Sequence, residues 1–179
     1  LVISTNGGLW RYLVGDTVKF TSLAPYRIIV TGRLKQFINA FGEEVMVDNT
    51  DKAIAAASAS TGLVVKDYTA APIYFGDQNQ GAHEWLIEFE NAPENLTAFT
   101  SELDQHLKNV NSDYEAKRYK DIALGMPKIT AVPKGLFNMW LKNKGKLGGQ
   151  HKVPRLSNDR QYVDELLLLL QQYAVPKFV

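Results

Sequence analysis

The sequence has no cysteine. That excludes disulfides, cysteine nucleophiles and thiolate metal sites. It fits a reducing compartment, and a cytoplasmic location is expected. Long apolar runs are missing too: the longest aliphatic stretch, Leu166 to Leu170, is far too short to cross a bilayer. Neither charge sign dominates. Lys+Arg 20 against Asp+Glu 19 leaves +1, which points to neither a nucleic-acid coat nor a membrane-surface protein. No internal repeat, metal-like cluster or low-complexity linker is visible. There is no initiator Met, basic n-region or signal-peptide hydrophobic segment, and Leu1-Val2-Ile3-Ser4-Thr5 runs straight into folded-looking sequence. A piece of a longer protein is expected.

What is present suits a globular chain. The 179 residues are 45% apolar, enough for a sizeable core and for one domain plus part of a neighbour. Gly 13 and Pro 7 are ordinary counts and argue against disordered or collagenous chains. Residues 1–47 read as short strands: Leu1 to Ser4, Leu9 to Leu13, Val18 to Phe20, Tyr26 to Thr31 and Gln36 to Asn39, broken at Asn6-Gly7-Gly8 and Gly15-Asp16. Beyond Gly42 the texture changes. Asp48 to Ser60 reads as a helix with Ala53, Ile54 and Ala57 on its apolar face, capped by Asn49 or Asp48. Leu63 to Tyr68, part of Tyr68 to Phe75, and His83 to Phe89 read as strands, with a turn over Gly76 to Gly81. Asn95 to Asn109 reads as a helix through Leu96, Phe99, Leu103 and Leu107. Ile129 to Val132 is a short strand, Lys134 to Leu141 a helical stretch, and Asp159 to Tyr173 a helix with Tyr162, Val163, Leu166, Leu167 and Leu170 on one face. This order predicts an α/β (α+β) fold: a small mixed sheet flanked by helices, preceded by short strands from the end of a larger domain. The division is expected at 1–40 and 41–179.

Three constellations could carry chemistry. In Gly8-Leu9-Trp10-Arg11-Tyr12-Leu13-Val14-Gly15-Asp16, the carboxylate after the Gly15 turn either caps local backbone or accepts two hydroxyls of a ribose diol. In Val30-Thr31-Gly32-Arg33, the guanidinium either faces solvent or offers a planar fork to a phosphate or ribose oxygen, and Lys35 adds a second positive charge. Glu43 and Glu44 follow Gly42 and are expected to favour the positive start of the next helix.

The third constellation is a basic block concealed by the net charge. Lys134, Lys142, Lys144, Lys146, Lys152 and Arg155 lie in an interval without Asp or Glu. Lys144-Gly145-Lys146-Leu147-Gly148-Gly149-Gln150-His151-Lys152 has the flexibility and charge of a phosphate-facing loop, without Walker A spacing. His151 is either a base or a surface residue. Phe137, Trp140 and Tyr119 could stack on RNA bases, but their spacing suits a core.

The Gly8-to-Asp16 segment, Thr31-Gly32-Arg33 and Gln150-His151-Lys152-Val153-Pro154-Arg155 resemble the GH3 acyl acid–amido synthetases, within the acyl-adenylating enzymes. Phe37 to Glu44 and Asp67-Tyr68-Thr69-Ala70-Ala71-Pro72 resemble its bacterial branch. The resemblance covers essentially the whole chain. It implies an ATP-dependent ligase that adenylates an acyl acid, releases pyrophosphate, and passes the acyl group to an amino acid amine, releasing AMP. By resemblance, Asp16 holds the ribose hydroxyls, Arg33 lies near the nucleotide at the domain junction, and Tyr12 supports the nucleotide wall. Lys35 is a weaker hinge candidate, and Lys152 is the late lysine brought to the reaction centre. Glu44 stands where plant members carry a phosphate-associated Lys. The Glu43-Glu44 pair instead follows the Gly-Glu pattern of broader adenylating enzymes.

The resemblance further implies ATP and Mg²⁺ as cofactors, a missing N-terminal adenylating domain as partner, and acyl acid and amino acid as substrates. No nucleic-acid or membrane partner is expected. The phosphate loop and acyl-binding walls of the family's N-terminal domain are not found here, so the isolated fragment is expected to be inactive. Alternatives are an acyl–CoA ligase, which would share the first half-reaction but use a thiol acceptor, and a noncatalytic α/β module binding phosphate or RNA through the basic block.

Overall fold

The computed structural model describes residues 1–33, 36–76, 80–121, 123–146, 148 and 151–174, with the side chains of Gly32, Arg33, Tyr173 and Ala174 not described. Three two-stranded units come first. β1 (Val2–Ile3) pairs with β2 (Tyr12–Leu13), β3 (Asp16–Leu23) with β4 (Tyr26–Arg33), and β5 (Phe37–Ile38) with β6 (Val45–Met46), all antiparallel. The expected strand over Leu9 to Leu13 shrinks to two residues, because Arg11 takes a left-handed φ of 48° that breaks extended backbone. Conversely, Asp16 starts β3 directly rather than ending a turn, since Gly15 alone absorbs the positive φ of 85°.

A three-layer unit follows. Its sheet runs β7 (Val65–Ile73), β8 (Ala82–Phe89), β9 (Lys128–Val132), with β7 and β8 antiparallel and β8 and β9 parallel. The two strands expected on either side of Tyr68 are one continuous strand. On β8, Trp85, Ile87 and Phe89 join one core while Leu86 joins the other, as period-two alternation requires. The first core lies against α1 (Val47–Thr61), α2 (Thr97–Val110) and α3 (Ser112–Arg118). The second lies against α4 (Leu136–Asn143) and α5 (Gln161–Ala174).

Local chemistry sets the helix limits. Met46 is the N-cap of α1 and donates its backbone N–H to Asn49 Oδ1 at 2.9 Å, so Asn49 closes the first turn from inside. Gly62 ends α1 with φ 74° and an N–H to Ser58 O bond of 2.9 Å. In α2, Phe99, Leu103 and Leu107 are all fully buried at four-residue spacing. Asp159 lies outside α5 and accepts the Gln161 N–H at 3.1 Å, acting as a cap rather than a helical residue. A helix not expected from the sequence spans Ser112–Arg118; Asn111 starts it by accepting the Tyr114 N–H at 2.8 Å.

Candidate functional site

β3 and β4 place the first two candidates opposite each other: Asp16 and Arg33 are register partners. One step along, Thr31 Oγ1 bonds Thr17 Oγ1 at 3.1 Å and ties the hairpin across its strands. Asp16, Val30, Thr31 and Gln36 line a cleft of about 320 Å³, closed on its other side by Val47, Asp48 and Asp51 of α1. Asp48 is paired with Lys52 Nζ at 2.6 Å, a helix-surface pair one turn apart. Tyr12 is half exposed in β2, and Lys35 lies outside the described residues.

The late segment reaches the same helix. Val153 to Ser157 runs beside β7, with Ala70 N donating to Arg155 O at 2.8 Å and Ser157 N donating to Ala70 O at 3.2 Å. Thr69 Oγ1 donates to Pro154 O at 2.7 Å, and Ala70 and Leu156 form a parallel bridge. Val153 and Leu156 are buried, whereas His151 and Lys152 are exposed. Arg155 Nη1 lies 2.6 Å from both carboxylate oxygens of Asp51. Its guanidinium carbon stands 5.2 Å from the centre of the Tyr68 ring. The Tyr68 hydroxyl donates to Asp51 Oδ1 at 2.8 Å and lies 2.6 Å from Thr50 Oγ1. Burial and the neighbouring Asp51 carboxylate push that phenol well above its ordinary range, so it stays a neutral donor. Arg155 and Asp51 are 37% and 44% exposed, so the pair adds only about 0.2–1 kcal/mol to folding.

Two of the four remaining cations of the basic block, Lys134 and Lys144, are paired. Lys134 reaches Glu90 at 3.7 Å, and Lys144 reaches Glu165 at 3.0 Å while standing over the Trp140 ring at 5.6 Å. Phe137 and Trp140 are core residues, as their spacing predicts. Tyr119 is not: it is 64% exposed beside a left-handed Lys120, where the helical spacing has ended.

The expectation for Glu43 is overturned. It does not support a helix start from the surface. Its side chain is fully buried, its Oε1 lies 2.8 Å from His83 Nε2, and it accepts the backbone N–H groups of Ala40 (3.2 Å) and Phe41 (2.7 Å). Glu44 is exposed with φ 44°. His83 is not singled out by the sequence, because it stands in a strand that also carries Glu84 and Glu88.

Residues 48–161 match the GH3 family C-terminal domain, and residues 1–33 match the GH3 family central domain. No curated protein matches the chain. Among solved structures, a GH3.15 acyl acid amido synthetase superposes with TM-score 0.71 at 22% identity, covering 96% of this chain and 32% of that one. The AtGH3.15 acyl acid amido synthetase in complex with 2,4-DB superposes with TM-score 0.70 at 20% identity, covering 94% of this chain and 32% of that one. The chain thus spans about a third of the length of these proteins, and at such identities the likeness is one of fold. The C-terminal-domain match runs from the first turn of α1 through Arg155 to the start of α5, the elements just described, and the chain belongs to the GH3 family.

Proposed function

We propose that the chain is the C-terminal part of an ATP-dependent ligase that adenylates an acyl acid and joins it to an amino acid through an amide bond. One observation carries this reading. Asp16, register partner of Arg33, lines the same cleft as Asp51, and Asp51 holds the segment that begins at Lys152. A hairpin and a helix of the three-layer unit thus bound one cleft, and the same helix holds a segment more than a hundred residues further along the chain.

In this reading ATP supplies a leaving group that makes the acyl carboxylate attackable. The cleft offers what a ribose needs, a carboxylate acceptor in Asp16 with Thr31 and Gln36 beside it. Asp16 would accept the ribose hydroxyls, Arg33 would lie near the nucleotide at the domain junction with Lys35 as a weaker hinge candidate, and Tyr12 would support the nucleotide wall. Lys152, exposed and without a hydrogen bond or ion pair among the described residues, would place its cation at the α-phosphate and attacked carboxylate. Mg²⁺ is expected with ATP. No cluster of three metal-ligating side chains occurs among the described residues, and no residue is assigned to the ion.

Residues 1–40 are proposed as the end of the adenylating domain and hinge, and residues 41–179 as the mobile cap. The buried packing of Ile38 with Val45 ties the hinge's far end into the cap core. The hairpin's exposed Phe20, Leu23, Tyr26, Ile29 and Val30 support an upstream adenylating domain as partner. No helix among the described residues is long and apolar enough to cross a membrane. A cytoplasmic, bacterial parent remains part of the proposal.

The test is ATP–pyrophosphate exchange by the full-length parent across a panel of acyl acids. Exchange that is strongly reduced by Lys152→Ala is expected, with amide product on adding amino acids. Unchanged exchange in that variant removes Lys152 from adenylation. Thioester formation with CoA in place of amide overturns the acceptor. The isolated 179-residue chain is expected to show no exchange.

A further inference from the structure

Lys152 has a long, freely rotating stem, and nothing described holds its ammonium. Its position is therefore set by whatever fixes the backbone immediately after it. That backbone is fixed twice. The Thr69 hydroxyl's bond to Pro154 O and main-chain bonds to Ala70 set its register on the sheet edge. The Arg155 side chain then ties it laterally to α1: Asp51 takes Nη1 with both oxygens at 2.6 Å, and Tyr68 both stacks under the guanidinium and orients Asp51.

Asp51 has a second neighbour. It also lines the cleft that contains Asp16. One carboxylate on one helix turn therefore bounds the cleft and grips the lysine-bearing segment. The pair is too open to water to be a major source of fold stability. Its geometry, two short bonds and a stacked face, suits orientation.

We propose that Asp51 is a positioning residue for Lys152, acting through Arg155. The pair aligns the lysine's backbone with the cleft, so that its cation meets the charge that develops there. This rests on the adenylation role given to Lys152 above. Misplacement of such a group by about 1 Å can cost on the order of a hundredfold in rate.

The experiment is a double-mutant cycle in the full-length parent, read by pyrophosphate exchange with its best acyl acid. Asp51→Ala is expected to lower kcat by about 10- to 100-fold, with KM for ATP changed less than about twofold. Melting is expected to move by no more than about 4 °C. Arg155→Ala removes the same pair from the other side, and is expected to match it; it reads the same step if Asp51→Ala does not fold. In a Lys152→Ala background, neither variant is expected to cause a further loss beyond about twofold. Wild-type kcat in both variants overturns the inference. So does a loss that multiplies with that of Lys152→Ala, or a change confined to KM for ATP, which would make Asp51 a nucleotide contact. Full exchange by Lys152→Ala alone overturns the Lys152 reading and this inference with it; the other adverse outcomes overturn only the inference.

Discussion

Glu43 Oε1 and His83 Nε2 meet at 2.8 Å with both side chains fully buried, although 40 residues separate them in sequence. The carboxylate turns back on its own loop and accepts two backbone N–H groups, from Ala40 and Phe41. The loop between β5 and β6 is thereby pinned to the central strand of the sheet. Phe41 completes the anchor: its ring packs edge-on against Phe75 at 4.9 Å and covers Gly81, where a Cβ would overlap it.

The pair has a pH signature. Burial pushes the Glu43 carboxyl up, but the hydrogen bond and charge of His83, with the Phe41 N–H, outweigh it and hold the group below 4.5. The folded protein therefore binds fewer protons than the unfolded chain in that range. This stability is present above the ordinary carboxylate range and lost as pH falls through the depressed folded value. Glu43→Gln is expected to destabilise by roughly 1.5–3 kcal/mol near neutrality and to flatten the acid limb of melting temperature against pH. Asp104 is depressed in the same direction, so part of the slope is expected to remain.

Asp104 should be the costlier loss. It receives Arg118 Nε at 2.6 Å and Nη2 at 3.1 Å, Tyr114 Oη at 2.8 Å and Lys108 Nζ at 2.6 Å. Arg118 is itself buried, so Asp104→Ala leaves its Nε and Nη2 without their carboxylate, while Nη1 keeps Asp121 and the Leu124 carbonyl. A loss of roughly 3–5 kcal/mol is expected in urea denaturation.

Tyr68→Phe separates the hydroxyl from the ring. The aromatic packing on Trp85, at 5.7 Å between centroids, is retained, and Thr50 Oγ1 keeps its 2.9 Å bond to Val47 O. About 1 kcal/mol of stability is expected to go, measured by the same unfolding curves.

Asp16→Ala in the full-length parent tests the proposed ribose contact. Loss of hydrogen bonds to a charged acceptor is worth roughly 1.5–3 kcal/mol, so KM for ATP is expected to rise by about 10- to 100-fold. An unchanged KM removes Asp16 from the nucleotide site.

The sequence by itself determined the helices and strands whose apolar residues repeat with a period. Phe99, Leu103 and Leu107 mark α2, and Val163, Leu166 and Leu170 mark α5, because burial on one face is enforced turn by turn. It also carried the motifs of the GH3 resemblance, which the family matches bear out. Tertiary structure alone decided what the polar residues do. Glu43 and Glu44 are adjacent and chemically alike, yet one is buried against His83 and the other faces water, because a left-handed turn at Glu44 separates them. Arg155 looked like one cation of a basic block, and its partner proved to be an aspartate 104 residues earlier. Apolar burial is local and periodic, so it is written along the chain. A charge's partner is whichever opposite charge the finished fold brings within reach, and no spacing along the chain records it.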